Sequence, residues 1–273
     1  MIKHPYLLGT IAGDTIGSIY EFNPTKDYDL FLINNNMEYT DDSILSIAVA
    51  EWLMDDSSHS KEKLIERLQY WARKYRDPMG SYGNMFYQWI FSENPEPYNS
   101  WGNGSAMRVS AVGFAFDTME ETRKVARISA EITHNHPEGI KGAEATAAAI
   151  FMARKGNTKE EIRKYITTEF GYPLDFTYHD IHASYGFEAS CQQTVPQSIV
   201  AFLDSKDYED AIRMTISLGG DADTMGAITG AIAFAYYKEM PTEMGKFVLS
   251  KLPDDLKAVV ERFDVYVDQN LAV

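Results

Sequence analysis

The chain has 273 residues, 45% hydrophobic and 13% aromatic, enough to bury a substantial core in one large domain or two small ones. Its net charge of −15 argues against a general nucleic-acid binder, so an anionic ligand would have to find positive charge locally, at metal ions or helix N-termini. No stretch approaches the roughly 20 apolar residues of a membrane span, and Met1-Ile2-Lys3-His4-Pro5 lacks the basic region and apolar run of a secretory signal.

Helical periodicity dominates, with candidate helices over residues 6–20, 41–55, 60–76, 81–92, 104–117, 119–133, 137–155, 158–168, 194–204, 207–218, 222–238, 242–251 and 254–270. In 41–55 the apolar residues Ile44, Leu45, Ile47, Ala48, Trp52 and Leu53 recur at three- and four-residue spacings and predict one stripe. Residues 142–153 and 226–235 are small and apolar on most sides, the composition of central, closely packed helices. Three irregular stretches, 22–39, 77–104 and 169–193, fall beside the polar motifs, as expected of loops lining one cleft. No βαβ alternation, solenoid repeat or Pro/Gly/Ser linker interrupts the pattern, so residues 1–273 read as a single compact all-α domain. Cys191 is the only cysteine; a buried apolar role and a reducing compartment, the cytoplasm, fit it best.

The polar motifs carry the chemistry. In Gly9 to Glu21, three glycines would weaken a helix by about 1 kcal/mol each relative to alanine, which close backbone packing would offset. Asp14, Gly17 and Glu21 are three and four apart, so a helix over 6–20 would place them on one face. Thr40-Asp41-Asp42 stands before one apolar helix and Gly219-Gly220-Asp221-Ala222-Asp223-Thr224 before another. Either cluster alone reads as helix capping. Together they gather four carboxylates and two hydroxyls, an oxygen-only set suited to hard divalent cations that would relieve their repulsion.

Trp101-Gly102-Asn103-Gly104-Ser105 turns into a helix and would present backbone N–H groups to phosphate, or simply make a turn. Arg108 reads as the structural partner of a buried acid rather than a phosphate contact. In Thr133-His134-Asn135-His136-Pro137, Pro137 suits the first position of the next helix and His134 suits an anion contact. Tyr82 and Phe86 are candidates to stack on a base. The 22–39 loop and Phe176, Tyr178, Tyr185 and Phe187 are candidates to shape the cleft mouth.

In this order the motifs resemble the ADP-ribosylglycohydrolase family, of the dinitrogenase-reductase-activating glycohydrolase type. The matching pieces are Gly13-Asp14-x-x-Gly17-x-x-x-Glu21, Tyr39-Thr40-Asp41-Asp42, Gly102 to Arg108, Thr133-His134 and Gly219 to Thr224. Five motifs in the right order make a specific match, although residues 169–193 match none. The resemblance implies an all-α orthogonal helix bundle with two Mg²⁺ or Mn²⁺ ions at the base of a cleft, and hydrolysis of a bond to C1″ of ADP-ribose. It implies metal ligation by Thr40, Asp41, Asp42, Asp221, Asp223 and Thr224. Gly102, Asn103, Gly104 and Ser105 would lie along the diphosphate and ribose, with His134 near the phosphates. Glu21 matches an acidic residue assigned to catalysis in some members, and Asp41 and Asp42 would add negative charge beside a developing oxocarbenium ion. The implied partner is an ADP-ribosylated protein or an ADP-ribose-containing small molecule, with no nucleic acid and no membrane. Two other readings stand beside it: a di-metal hydrolase of small phosphorylated nucleosides, and a non-catalytic ADP-ribose binder, against which the complete ligand set argues.

Overall fold

A computed structural model describes residues 5–271. The elements run α1 (Leu8–Gly17), α2 (Asp41–Asp55), α3 (Lys61–Lys74), α4 (Asn84–Ile90), α5 (Gly104–Met107), α6 (Ser110–Ala115), α7 (Met119–Glu131), α8 (Pro137–Arg154), α9 (Lys159–Phe170), α10 (Tyr178–His182), α11 (Cys191–Asp204), α12 (Tyr208–Ser217), α13 (Ala222–Tyr237), α14 (Thr242–Lys251) and α15 (Asp254–Asn270). The fold is all-α, and two isolated bridges, Thr40 with Met79 and Gly102 with Ser190, are the only β pairing among the described residues.

Outer helices follow the one-sided pattern. α3 buries Leu64, Leu68, Trp71 and Ala72, and α15 buries Leu256, Val259, Val260, Phe263 and Val267, each at helical spacing. α8 and α13 are buried nearly all round, as their small residues predict. α2 departs from its expected single stripe: every residue from Asp42 to Leu53 is buried, Glu51 included, whose carboxylate accepts Trp71 Nε1–H at 2.8 Å. α13 sits at the centre against α8, α11 and α12, and most extensively against α1.

The α1–α13 seam is backbone on backbone. A Cβ on Gly13 would fall 1.9 Å from the Gly226 carbonyl oxygen, one on Gly17 2.3 Å from that of Ala222, and one on Gly230 2.3 Å from that of Gly9. The seam sets the end of α1 beside the start of α13, and so Asp14 beside Asp223.

Besides small shifts such as α4, expected over 81–92 and observed over Asn84–Ile90, three differences from expectation bear on the site. α1 stops at Gly17, where the chain turns with Tyr20 N–H on Gly17 O at 2.8 Å. Glu21 therefore lies beyond the helix and shares no helical face with Asp14. The helix expected over 104–117 breaks into α5 and α6 around Arg108 and Val109. The stretch 169–193 contains α10 and the first turn of α11, a helix that runs through Pro196.

Candidate active site and metal centre

The cleft floor is made by carboxylates from four places in the chain. Asp14, on α1, is buried and accepts Thr40 N–H at 3.0 Å, Thr40 Oγ1–H at 2.6 Å, Ser43 N–H at 3.1 Å and the Ser43 hydroxyl. Burial pushes its carboxyl up to about 6, while the Ser43 and Thr40 bonds pull the other way. Thr40 is the N-cap of α2, its hydroxyl accepting Asp42 N–H at 3.2 Å, so the capping role foreseen for it is real and coexists with its bond to Asp14. At α13 capping fails as an explanation. Asp221 occupies the N-cap without capping through its side chain, and accepts Asn103 Nδ2–H at 2.7 Å. The Gly-Gly lead-in aims it: Gly219 has φ +68°, and a Cβ on Gly220 would meet Met225 Sδ and the Tyr185 ring at 2.6 Å.

Two groups of three carboxylates result, Asp14 with Asp42 and Asp223, and Glu21 with Asp221 and Asp223, their oxygens within 4.8 Å of one another in each. Asp41 faces the cleft but joins neither group. Burial drives the carboxyls up, Asp221 to about 6 and Asp41, Asp42 and Asp223 well above the carboxylate range. Mutual repulsion adds to it, most visibly at Glu21, pushed up to about 8 by burial and then by Asp223. Asp42 Oδ1 and Glu21 Oε2 are buried and have no hydrogen-bond partner among the described residues. Buried, mutually repelling, partly unsatisfied carboxylate oxygens fit a hard divalent cation. Thr224 lines the cleft, its hydroxyl donating to Asp42 Oδ2 at 3.4 Å, whereas Thr40 sits behind the floor, bonded to Asp14.

The opposite wall is polar and short of charge. Gly102, Asn103, Gly104 and His134 line it, and the cleft they share with the acids has a volume of about 450 Å³. Asn103 ties wall to floor through Asp221. Ser105 is not on the lining: its hydroxyl turns away to donate to Gly139 O at 2.7 Å. Among the described residues Arg108 has no acid partner, contrary to expectation. Its Nη2 donates to Ser129 O at 2.9 Å and Thr133 Oγ1 at 2.7 Å, both neutral acceptors. Burial and the Arg108 charge hold His134 well below the usual imidazole range, so it is neutral at pH 7. His136 Nδ1 accepts Glu138 N–H at 3.1 Å as the N-cap of α8, with Pro137 following. Cys191 is buried, its thiol against Gly102 O at 3.1 Å.

Of the two candidate stacking rings, Tyr82 is buried with its hydroxyl on Tyr75 O at 2.8 Å. Phe86 stacks on Trp89 and lies under Arg108. Both line the cleft but are already engaged. The open surfaces at the cleft are Phe22, 74% exposed, and Met85, 54% exposed. Of the four candidate aromatics at the cleft mouth, Tyr178 is buried, Phe176 and Tyr185 pack against buried clusters and Phe187 is exposed. Two cleft-building residues escaped sequence reasoning. Asp14 was placed near a site but not among the ligands. Gly80, with φ +81°, has Glu21 Oε2 2.7 Å from where a Cβ would stand. The glycine in Pro78-Met79-Gly80 was the available signal.

The sequence profile of the ADP-ribosylglycohydrolase family matches residues 5–270. Human ADP-ribosylhydrolase ARH3 is 26% identical, over 85% of this chain and 84% of that protein. A putative ADP-ribosyl glycohydrolase of Acanthamoeba polyphaga mimivirus is 24% identical, over 86% and 87%. A solved ADP-ribosylglycohydrolase-related protein complex contains a chain that superposes with a TM-score of 0.75 at 21% identity, covering 97% of this chain and 96% of that one.

Proposed function

The chain belongs to the ADP-ribosylglycohydrolase family, and from that premise we propose that it hydrolyses the glycosidic bond at C1″ of ADP-ribosyl groups on proteins or small acceptors. The observation that carries the reading is the meeting of Asp14, Asp42 and Asp223 with Glu21 and Asp221 at one cleft floor. The reading takes two divalent cations, Mg²⁺ or Mn²⁺, held by Thr40, Asp41, Asp42, Asp221, Asp223 and Thr224, with Asp14 as an additional ligand or as the acceptor that orients Thr40. When bound, such ions orient ribose hydroxyls and acidify a water.

The chain's own groups do the rest. Glu21, half-buried with its carboxylate beside those of Asp221 and Asp223, is the group that hands a proton to the departing acceptor or takes one from water. Asp41 and Asp42 set negative charge beside the anomeric carbon as it turns cationic. Gly102, Asn103 and Gly104 give the diphosphate and ribose a wall without side-chain bulk, and His134 offers a neutral imidazole to the phosphates. Residues 1–273 act as one catalytic unit, since floor and wall come from both ends of the chain and its middle. No helix among the described residues is long and apolar enough to cross a membrane, and the reading sets the enzyme in the cytoplasm.

The test is release of free ADP-ribose from peptides modified on arginine or on serine, with Mg²⁺ and again with chelator. Chelator-sensitive release from one of them bears out the reading and identifies the acceptor. Turnover of small ADP-ribose compounds alone would transfer the function to a small-molecule hydrolase. ADP-ribose binding without any turnover would make the chain a binder.

A further inference from the structure

Residues from two separate motifs meet behind the wall of the cleft. Arg108, 1% exposed, places Nη2 2.7 Å from Thr133 Oγ1, and Thr133 Oγ1 lies 2.7 Å from His134 Nδ1. A guanidinium only donates, so the Thr133 oxygen accepts from it, and the hydroxyl keeps its single hydrogen for another partner. Accepting a charge-assisted bond polarises that O–H and makes it a stronger donor. The Tyr98 phenol also interacts with this hydroxyl, but an unprotonated imidazole nitrogen is the better acceptor of the two. The ring's own proton then belongs on Nε2. Among the described residues that atom has no hydrogen-bond partner, and it faces the cleft, 3.1 Å from where a Cβ on Gly104 would stand and 3.6 Å from one on Gly102. A side chain at residue 104 would cover it.

We propose that Arg108 and Thr133 are positioning residues that lock His134 in its Nε2–H tautomer and so aim one N–H at an anionic oxygen of the substrate. The lock follows from the protein's own hydrogen bonds; the identity of the oxygen, a phosphate of ADP-ribose, rests on the proposed function. A neutral imidazole suits the role, because burial and the Arg108 charge oppose a second proton.

Long-range ¹H–¹⁵N correlation spectra of the full-length protein with ¹⁵N-histidine decide it, His134 being assigned by the signals lost in His134→Gln. The expected wild-type spectrum has His134 Nδ1 bare and Nε2 protonated. Thr133→Val should give mixed tautomers and weaken calorimetric ADP-ribose binding about tenfold while leaving Mg²⁺ affinity unchanged, and Thr133→Ser should restore both tautomer and affinity. A protonated Nδ1 in the wild type overturns the lock without needing any variant to fold. So does a Thr133→Val protein with the wild-type tautomer and affinity. A locked Nε2–H in a protein that binds no ADP-ribose would bear out the lock and overturn its stated ligand, separating the two failures.

Discussion

Along the α1–α13 seam, side chains are removed so that two backbones touch and acidic groups are forced together beside them. Across the cleft, at the 102–105 turn and His134, acidic groups are absent and polar atoms are fixed by side-chain hydrogen bonds from behind. The floor is electrostatically frustrated, its carboxyls raised by burial and by one another. The wall is better satisfied: Asn103, Ser105 and Thr133 have partners, and Arg108 donates twice through Nη2, although its buried Nε has no partner among the described residues. The difference teaches that tight packing here serves to hold repelling groups in place, while hydrogen bonding serves to orient.

The most damaging way to break the comparison is at the seam. Gly13→Val should lower stability by about 3 kcal/mol or more, because backbone cannot yield as a side chain does, and thermal melting should show a large drop or no folded protein. Next is the floor's charge. Asp223→Asn removes the carboxylate common to both groups, and turnover should fall about a hundredfold or more. Mg²⁺ at a hundred times its Kd should stabilise the wild type by about 2.7 kcal/mol, or some 2–4 °C per kcal/mol. The variant should lose most of that upward shift in melting temperature yet fold in its absence. Chelator should abolish the wild-type shift in the same assay.

Glu21→Gln is expected to keep the Mg²⁺-induced shift while turnover falls about a hundredfold; full turnover would sink the proton-handling role. Gly80→Ala sharpens the point at the floor's edge. A positive φ costs a non-glycine residue about 1–2 kcal/mol, and the added carbon meets Glu21, so a melt and a kcat measurement should both show a loss, kcat by about tenfold. The mildest change is Gly83→Ala, where a Cβ meets nothing within 4 Å and stability should move by under about 0.5 kcal/mol.

The helices were legible because their pattern is local. Leu64, Leu68 and Trp71 of α3 declare one face within two turns. The acid clusters were legible because Thr40-Asp41-Asp42 and Asp221-x-Asp223 are each dense enough to stand out. What stayed hidden depends on distant partners. The end of α1 is decided where Gly17 meets Ala222, and the break at Arg108 by its turn toward Ser129 and Thr133. Pro196 masks a helix that already begins at Cys191, so the sequence put its start three residues late, at 194. Ser105 shows the same limit: its place in the glycine-rich turn is plain, but only Gly139 across the fold reveals which way its hydroxyl faces.

The seam also imposes an order on biosynthesis. Thr10 Oγ1 donates to Ala227 O at 3.0 Å across a sequence separation of 217. α1 therefore leaves the ribosome long before α13, and waits for it before its bare backbone face is covered. Until then a glycine-notched apolar helix is exposed on the nascent chain, with loop closure over most of its length still to come. The acidic pocket exists only once both α1 and the start of α13 have been made, so a translation product truncated before α13 would carry half a cleft and an uncovered, aggregation-prone helix.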